Sequence, residues 1–85
     1  MDTIMLDGIG YVSAARVIAI GKAGSAPLRR LLAALPPEKV VVLTGGRRRQ
    51  SVMLLDTGHA VVTALPVGEL RAQLEKAGAA PGEVI

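Results

Sequence analysis

Three consecutive arginines, Arg47 to Arg49, are the side chains of this sequence whose type and spacing most clearly indicate a chemistry. Gly45 and Gly46 precede them, and glycines let a backbone approach a ligand closely and point its amide N–H groups at an anion. Guanidinium groups bind phosphate oxygens through two parallel hydrogen bonds. The segment therefore favours a phosphate-containing ligand. A charged hairpin tip that keeps the protein soluble is the alternative interpretation.

Other arginines are candidates for the same site. Arg16 interrupts an apolar strand, where a charge is costly if buried and useful if it faces a ligand; an outward-facing strand position is the alternative. Two more, Arg29 and Arg30, lie near the start of a predicted helix and off its leucine stripe. Residues 16–49 carry eight Lys and Arg side chains against a single Glu, a net charge of +7, in a chain of net charge +3. This asymmetry favours a polyanionic partner, with a solubility role as the alternative. The candidate set is Arg16, Arg29, Arg30, Arg47, Arg48 and Arg49.

The composition narrows the class of polyanion. Single-stranded nucleic acid is disfavoured, because its bases stack on aromatic rings and the chain has only Tyr11 and His59 to offer. Contacts to the phosphates of duplex DNA need no aromatic residue. Neither predicted helix has the side chains that read base edges, so phosphate and shape recognition is expected. An acidic protein or structured RNA remains the alternative partner.

Cysteine is absent and His59 is the single histidine, which excludes disulfides, thiolate zinc sites and multi-histidine metal sites within one chain. Two enzyme-like motifs are better interpreted as turns. Asp56-Thr57-Gly58 matches an aspartic protease signature, but residues 59–85 are too few to complete that active site. Gly8-Ile9-Gly10 begins a dinucleotide-binding pattern that is not completed. For His59 we expect a local hydrogen bond with Asp56. We predict no enzymatic activity, no cofactor, no metal and no small-molecule substrate.

Length and hydropathy predict one small domain that self-associates. The chain has 85 residues, 51% of them hydrophobic, and a mean hydropathy of +0.46, which is high for a soluble monomer. We therefore expect a homo-oligomer, with a single domain over residues 1–77 and a fraying tail over 78–85. No apolar run approaches the length of a membrane span, and the N-terminus has no basic leader, so we expect no membrane association and a cytoplasmic location.

The periodicity predicts an α+β fold with a small antiparallel sheet and two amphipathic helices. The first helix has Ser25 as N-cap and Pro27 in its first turn, and it ends before residues 36–37. Strands are predicted over residues 11–20, 40–43, 52–55 and 60–65, the last three forming an antiparallel meander joined by short turns. The apolar stripes of the two helices are Leu28, Leu31, Leu32 and Leu35, and Val67, Leu70, Leu74 and Ala77.

Four short motifs, in this order, resemble the RemA-like family of bacterial extracellular matrix regulators. The resemblance covers about residues 4 to 75. The motifs are Ser13-Ala14-Ala15-Arg16, Ser25-Ala26-Pro27-Leu28-Arg29-Arg30, Gly46-Arg47-Arg48 and Asp56-x-x-His59. The chain departs from the family pattern in having Ala15 where an asparagine is usual and Gly45 where an aromatic residue is usual.

The resemblance implies a DNA-binding transcriptional regulator of biofilm matrix genes. It implies a fold similar to LytTR DNA-binding domains, a cytoplasmic, nucleoid-associated location and ring-like homo-oligomers that present arginines to duplex DNA. The family's DNA-contacting arginines fall on Arg16, Arg47 and Arg48. Its helix-opening proline falls on Pro27, and its turn glycine on Gly46. The arginines are ones that the charge pattern independently nominates.

Overall fold

A computed structural model of the protein describes residues 3–6, 10–79 and 82–84. The short 3-10 helices Ala14–Arg16 and Pro37–Lys39 precede the third and fourth strands. In chain order the other elements are β1 (Thr3–Leu6), β2 (Gly10–Ser13), β3 (Val17–Lys22), α1 (Ala26–Ala34), β4 (Val40–Leu43), β5 (Ser51–Leu55), β6 (Ala60–Thr63), α2 (Val67–Lys76) and β7 (Gly82–Val84).

The predicted α+β fold with two helices is confirmed, and its main sheet is mixed. Five strands lie in the order β4-β6-β5-β3-β7, while β1 and β2 form a separate antiparallel pair. Strand β5 is antiparallel to both of its neighbours, β6 and β3. Each edge strand is parallel to its neighbour: β4 is parallel to β6, and β7 is parallel to β3. Four strands of this sheet therefore run in one direction, and β5 runs in the other.

The predicted meander is wrong for one strand pairing. Strands β5 and β6 do form an antiparallel hairpin, but β4 pairs with β6 rather than with β5. A tight turn forces two successive strands to be antiparallel neighbours. Residues 44–50 are instead long enough to carry the chain past the end of β6, so β5 enters the sheet between β6 and β3.

The helices lie on opposite faces of the sheet, so β5 and β6 are covered on both sides. Leu28 of α1 packs with Val52 and Val62, whereas Leu70 of α2 packs in a second cluster with Met53. Because neighbouring strand residues point to opposite faces, Val52 and Met53 enter different clusters and are both fully buried. Two-sided burial explains why these strands are continuous apolar runs instead of alternating ones.

Helix α1 begins and ends close to its predicted limits. Ser25 occupies the N-cap position, Pro27 lies in the first turn, and Leu35 is the C-cap before the two prolines. The Ser25 side chain, however, makes no capping hydrogen bond. The predicted strand over residues 11–20 is divided by the 3-10 helix Ala14–Arg16, which buries Ala14 completely.

Strand β7 was not predicted from the sequence. It pairs in parallel with residues 19–21 of β3, although the segment that contains it is rich in Gly, Ala and Pro. Of the predicted tail, residues 78–79 and 82–84 are described. In the predicted glycine turn at residues 8–10, residues 8 and 9 lie outside the described part of the chain. Neither α1 nor α2 is long and apolar enough to cross a membrane.

Candidate nucleic-acid interface

The strand directions bring three segments to one end of the sheet. Strands β3, β4 and β6 are mutually parallel, so their carboxyl ends meet at the same edge. Helix α1 follows β3, helix α2 follows β6, and residues 44–50 follow β4. Both helix N-termini and the arginine segment therefore lie at this edge, which is where open sheets with parallel strands commonly bind ligands. We call it the carboxyl edge.

Backbone hydrogen bonds hold the arginine segment at both of its ends. The Arg47 N–H donates to the Thr44 carbonyl oxygen at 3.1 Å, closing a turn in which Gly46 has a φ of 81°. A Cβ at Gly46 would meet no atom within 4 Å, so backbone conformation is what favours glycine there. At the other end, the Gln50 N–H donates to the Thr63 oxygen at 2.8 Å, and the Gln50 oxygen accepts from Ala23 at 3.1 Å.

A buried polar pair fixes the start of β5, directly after the arginines. The Ser51 Oγ and Thr63 Oγ1 atoms are 2.7 Å apart, and the Leu65 N–H donates to Thr63 Oγ1 at 3.1 Å. Ser51 and Thr63 are both completely buried. Sequence reasoning missed this pair. The available signal was a small hydroxyl residue at one end of each of two apolar runs, and the strand pairing makes them neighbours.

Two adjoining hollows flank Arg48 and Arg49 at the carboxyl edge. One has a volume of about 480 Å³ and lies beside Arg29 and Leu32 of α1. The other has a volume of about 630 Å³ and lies between Ser25 at the start of α1 and residues 66–68 at the start of α2. Both share Gly24, Arg48 and Arg49. We call the two hollows together the basic cleft.

The basic cleft gathers four cationic side chains and no acidic one from the described part of the chain. Arg29, Arg48 and Arg49 are three of the predicted site residues, and all three are exposed. Lys22, the last residue of β3, joins them in the second hollow, although it is not among the residues predicted from the sequence. Strand β3 ends at the carboxyl edge, and this topology was needed to place Lys22 there.

The remaining candidates lie outside the lining of the basic cleft. Arg30 is exposed on α1, next to Arg29 but not among the residues that line either hollow. Arg47 is exposed in the turn that precedes the cleft, where its backbone N–H donates to the Thr44 oxygen. Pro27 is exposed in the first turn of α1, and Gly46 provides the turn itself.

Arg16 lies at the opposite end of the sheet. It ends the 3-10 helix before β3, and its guanidinium Nη1 is 3.5 Å from a carboxylate oxygen of Asp56, with the two side chains 63% and 42% exposed. An ion pair so open to water contributes only about 0–1 kcal/mol, so a phosphate can replace the carboxylate at little cost. Strand β3 separates Arg16 from the basic cleft, and its five residue steps span about 17 Å. One subunit therefore does not bring all six arginines together.

A family model for RemA-like proteins, described as extracellular matrix regulatory protein A-like, matches residues 8–74. The chain belongs to the RemA-like family. A search of curated proteins found no match. The resemblance inferred from the four motifs is thereby confirmed, and membership of this family supports a regulatory role for the protein.

The four motifs of this RemA-like chain meet in pairs, one pair at each end of the sheet. The helix-opening motif at residues 25–30 and the turn motif at 46–48 both lie at the carboxyl edge. The motifs at residues 13–16 and 56–59 meet at the other end, where the Asp56 N–H donates to the Arg16 oxygen at 2.8 Å. Each end of the sheet is therefore a separate cluster of motif residues.

The turn at the Arg16 end is confirmed, but the predicted partner of its histidine is wrong. Gly58 has a φ of 89° and donates its N–H to the Leu55 oxygen at 3.1 Å, as expected for a turn. His59 Nδ1 lies 2.7 Å from Thr57 Oγ1, so its hydrogen-bond partner is Thr57 rather than Asp56. The Asp56 carboxylate instead faces Arg16 across the strand pair. Within the described ranges, no three His, Cys, Asp or Glu residues are grouped so that they could hold a metal ion.

Proposed function

We propose that this RemA-like protein is an oligomeric transcriptional regulator that binds double-stranded DNA through its phosphate backbone and acts on biofilm matrix genes in the cytoplasm, at the nucleoid. The observation that carries the proposal is the basic cleft, where Arg48 and Arg49 lie with Lys22 and Arg29 and without an acidic neighbour. No reaction is proposed, and no cofactor or metal is required.

The chemistry of the basic cleft supports phosphate contacts over base contacts. An arginine guanidinium can donate two parallel hydrogen bonds to the oxygens of one phosphate. The arginines of the cleft are exposed, so they can form these hydrogen bonds without first leaving a buried position. The residues that line the two hollows include no aromatic side chain on which a base could stack. Affinity then comes mainly from the backbone, and sequence preference from DNA shape.

The position of Arg16 supports a multi-subunit complex. A duplex seated in the basic cleft reaches Arg16 of the same subunit only if it also follows β3 for about 17 Å. In an oligomer, Arg16 of another copy can lie closer to the same stretch of duplex. Several subunits on one duplex also multiply weak phosphate contacts into a useful affinity.

The edge strand β4 supplies a surface for self-association. It is the outermost strand beside β6, and Val41 and Val42 are exposed, the latter by 47%. An apolar edge strand with unpaired backbone groups favours pairing with another chain. Tyr11 and Ile18 add exposed apolar surface elsewhere on the protein. These features support the homo-oligomer that the mean hydropathy predicts.

Val42→Lys is expected to reduce the oligomer to a subunit of 8.8 kDa while leaving the fold intact. A charge on an edge strand opposes pairing with a second chain, and this exposed side chain carries little of the core. Light scattering at micromolar concentration measures the mass, and circular dichroism checks the fold. A wild-type protein that is already monomeric, or a variant of unchanged mass, would contradict the prediction.

Binding of a duplex is expected to weaken steeply as salt rises. Each phosphate neutralised contributes about −0.9 to the slope of log K against log salt, so several subunits on one duplex give a strongly negative slope. Fluorescence anisotropy with a labelled duplex across a salt series measures this slope. A flat response, or tighter binding to structured RNA or an acidic protein, would instead support the alternative of an assembly module for those partners.

A further inference from the structure

We propose that the basic cleft is a phosphate-binding site in which Lys22, Arg29 and the Ser25 hydroxyl act together with Arg48 and Arg49. Its ligand is a phosphate group or linked phosphates, whether part of a DNA strand or of a free polyphosphate. The proposal rests on the proposed function, because the whole basic cleft, with Lys22 and Arg29 as well as Arg48 and Arg49, is shared with the DNA interface. It adds a defined binding site to that interface, built from three elements of the fold.

The charges of the site converge from separate parts of the chain. Lys22 ends β3, Arg29 lies in the first turns of α1, and Arg48 and Arg49 follow the glycine turn. None of the described residues that line the two hollows is acidic, so no carboxylate competes with an incoming anion. Glu69 lies in the first turn of α2, but it is exposed and does not line the cleft. The cleft therefore concentrates positive potential in a concave space.

Two helix N-termini border the larger hollow. The starts of α1, at Ser25, and of α2, at residues 66–68, both line the larger hollow. Neither N-cap side chain makes a capping hydrogen bond; for α2 the N-cap is Pro66, which has no side-chain donor or acceptor. In α1, Pro27 has no N–H and residues 26–28 do not line either hollow, so the amide donors of the cleft are those of Val67 and Gly68 at the start of α2. The dipoles of both helices favour a negative charge there.

The Ser25 hydroxyl is an unpaired polar group beside the larger hollow. Its Oγ is buried and has no hydrogen-bond partner among the described residues, although Ser25 lines the larger hollow. Buried polar atoms are nearly always paired, so an unpaired one needs an explanation. The oxygen itself has almost no exposed surface, so a rotation about the Cα–Cβ bond must first turn the hydroxyl toward the larger hollow, where a phosphate oxygen can accept its hydrogen bond.

The shape of the cleft favours linked phosphates over a single one. Arg48 and Arg49 line both hollows, so one pair of guanidinium groups can serve a phosphate on either side. Each hollow is larger than one phosphate group, and neither has an aromatic residue to hold a base. We therefore expect inorganic tripolyphosphate to bind more tightly than orthophosphate.

The test compares two neighbouring arginines by calorimetric titration of inorganic tripolyphosphate at low ionic strength. Arg29→Gln and Lys22→Gln are each expected to weaken binding about tenfold, the effect of losing one charge-assisted hydrogen bond. Arg30→Gln is the matched control, since it removes the same charge one position away, outside the lining of the cleft. Its expected effect is less than twofold. Equal effects of Arg29→Gln and Arg30→Gln, or no binding by the wild type, would overturn the proposal.

Ser25→Ala separates a ligand contact from a structural role. Loss of a normal N-cap lowers helix stability, but here the hydroxyl makes no cap, so the melting temperature is expected to stay unchanged. Tripolyphosphate binding is expected to weaken about threefold, which in free energy is about half of the effect of losing a charge. A variant that melts earlier but binds tripolyphosphate normally would assign Ser25 to folding and remove it from the site.

A competition experiment identifies the source of the phosphate. If tripolyphosphate displaces the duplex at the concentration that saturates the cleft, DNA phosphates occupy the site; if both bind together, the site takes a free polyphosphate. Either result supports a phosphate site. If the wild type binds no duplex at any salt, but Arg29→Gln still weakens tripolyphosphate binding more than Arg30→Gln does, only DNA binding is rejected. If the wild type binds duplex and Arg48→Ala does not, but Arg29→Gln and Arg30→Gln affect tripolyphosphate binding equally, only the phosphate site is rejected.

Discussion

Arg48→Ala is expected to abolish duplex binding at physiological salt while the protein remains folded. The side chain is exposed and lines both hollows of the basic cleft, so it packs against no core. Surface substitutions of this kind change the free energy of unfolding by no more than about 0.5 kcal/mol. The loss of a phosphate contact repeats in every subunit on the duplex, so a modest effect per subunit becomes a large one for the oligomer.

Anisotropy with duplexes of several sequences, together with urea denaturation, measures both quantities. Affinity should fall by the same factor for all sequences, and the salt slope should become shallower, because a phosphate contact is lost rather than a base contact. Arg48→Lys should restore part of the affinity, since lysine keeps the charge without the bidentate fork. Lys76→Ala, at the far end of α2, is the charge control and should bind normally. Normal binding by Arg48→Ala, or loss of binding through unfolding, would refute the assignment of Arg48.

Thr63→Val is expected to destabilise the protein without affecting DNA binding, the reverse of Arg48→Ala. Its free energy of unfolding should fall by about 1–3 kcal/mol, the cost of leaving buried polar groups unpaired. Valine keeps the shape of threonine but removes Oγ1, the partner of both the Ser51 hydroxyl and the Leu65 N–H. The backbone bond from Gln50 to the Thr63 oxygen remains, so the arginine segment stays in place. The folded variant should therefore bind duplex DNA normally.

Urea denaturation of single and double variants tests the pairing of the two hydroxyls. Ser51→Ala combined with Thr63→Val should lower the free energy of unfolding by less than the sum of the two single changes. The second substitution removes a hydroxyl that the first has already left without its hydrogen-bond partner. Thr57→Val is the control: its hydroxyl contacts His59 in an exposed turn, so its loss should cost less than about 0.5 kcal/mol. Strictly additive losses would show that the buried hydrogen bond contributes no coupling.

The local elements were predictable because their signals are local. The leucine spacing and Pro27 predicted α1, and the Asp56–Gly58 turn predicted the hairpin of β5 and β6. Strand partners depend on contacts between distant residues, which explains the wrong position of β4 and the missed strand β7. Two-sided burial of β5 and β6 was likewise a property of the assembled layers, since an apolar run alone does not say which helix covers each face.

The candidate site divides in the same way. The residue types, the net charge of residues 16–49 and the glycine turn can all be identified from the sequence alone. They were sufficient to predict arginines as site residues and phosphate as their ligand. Only the tertiary structure decided which arginines meet. Parallel alignment of β3, β4 and β6 brings Lys22, Arg29 and Arg48 to one edge and leaves Arg16 at the other. Spacing along the chain fixes neighbours only within a helix or a strand, whereas convergence between elements follows from strand order and direction, which the packing of the whole core selects.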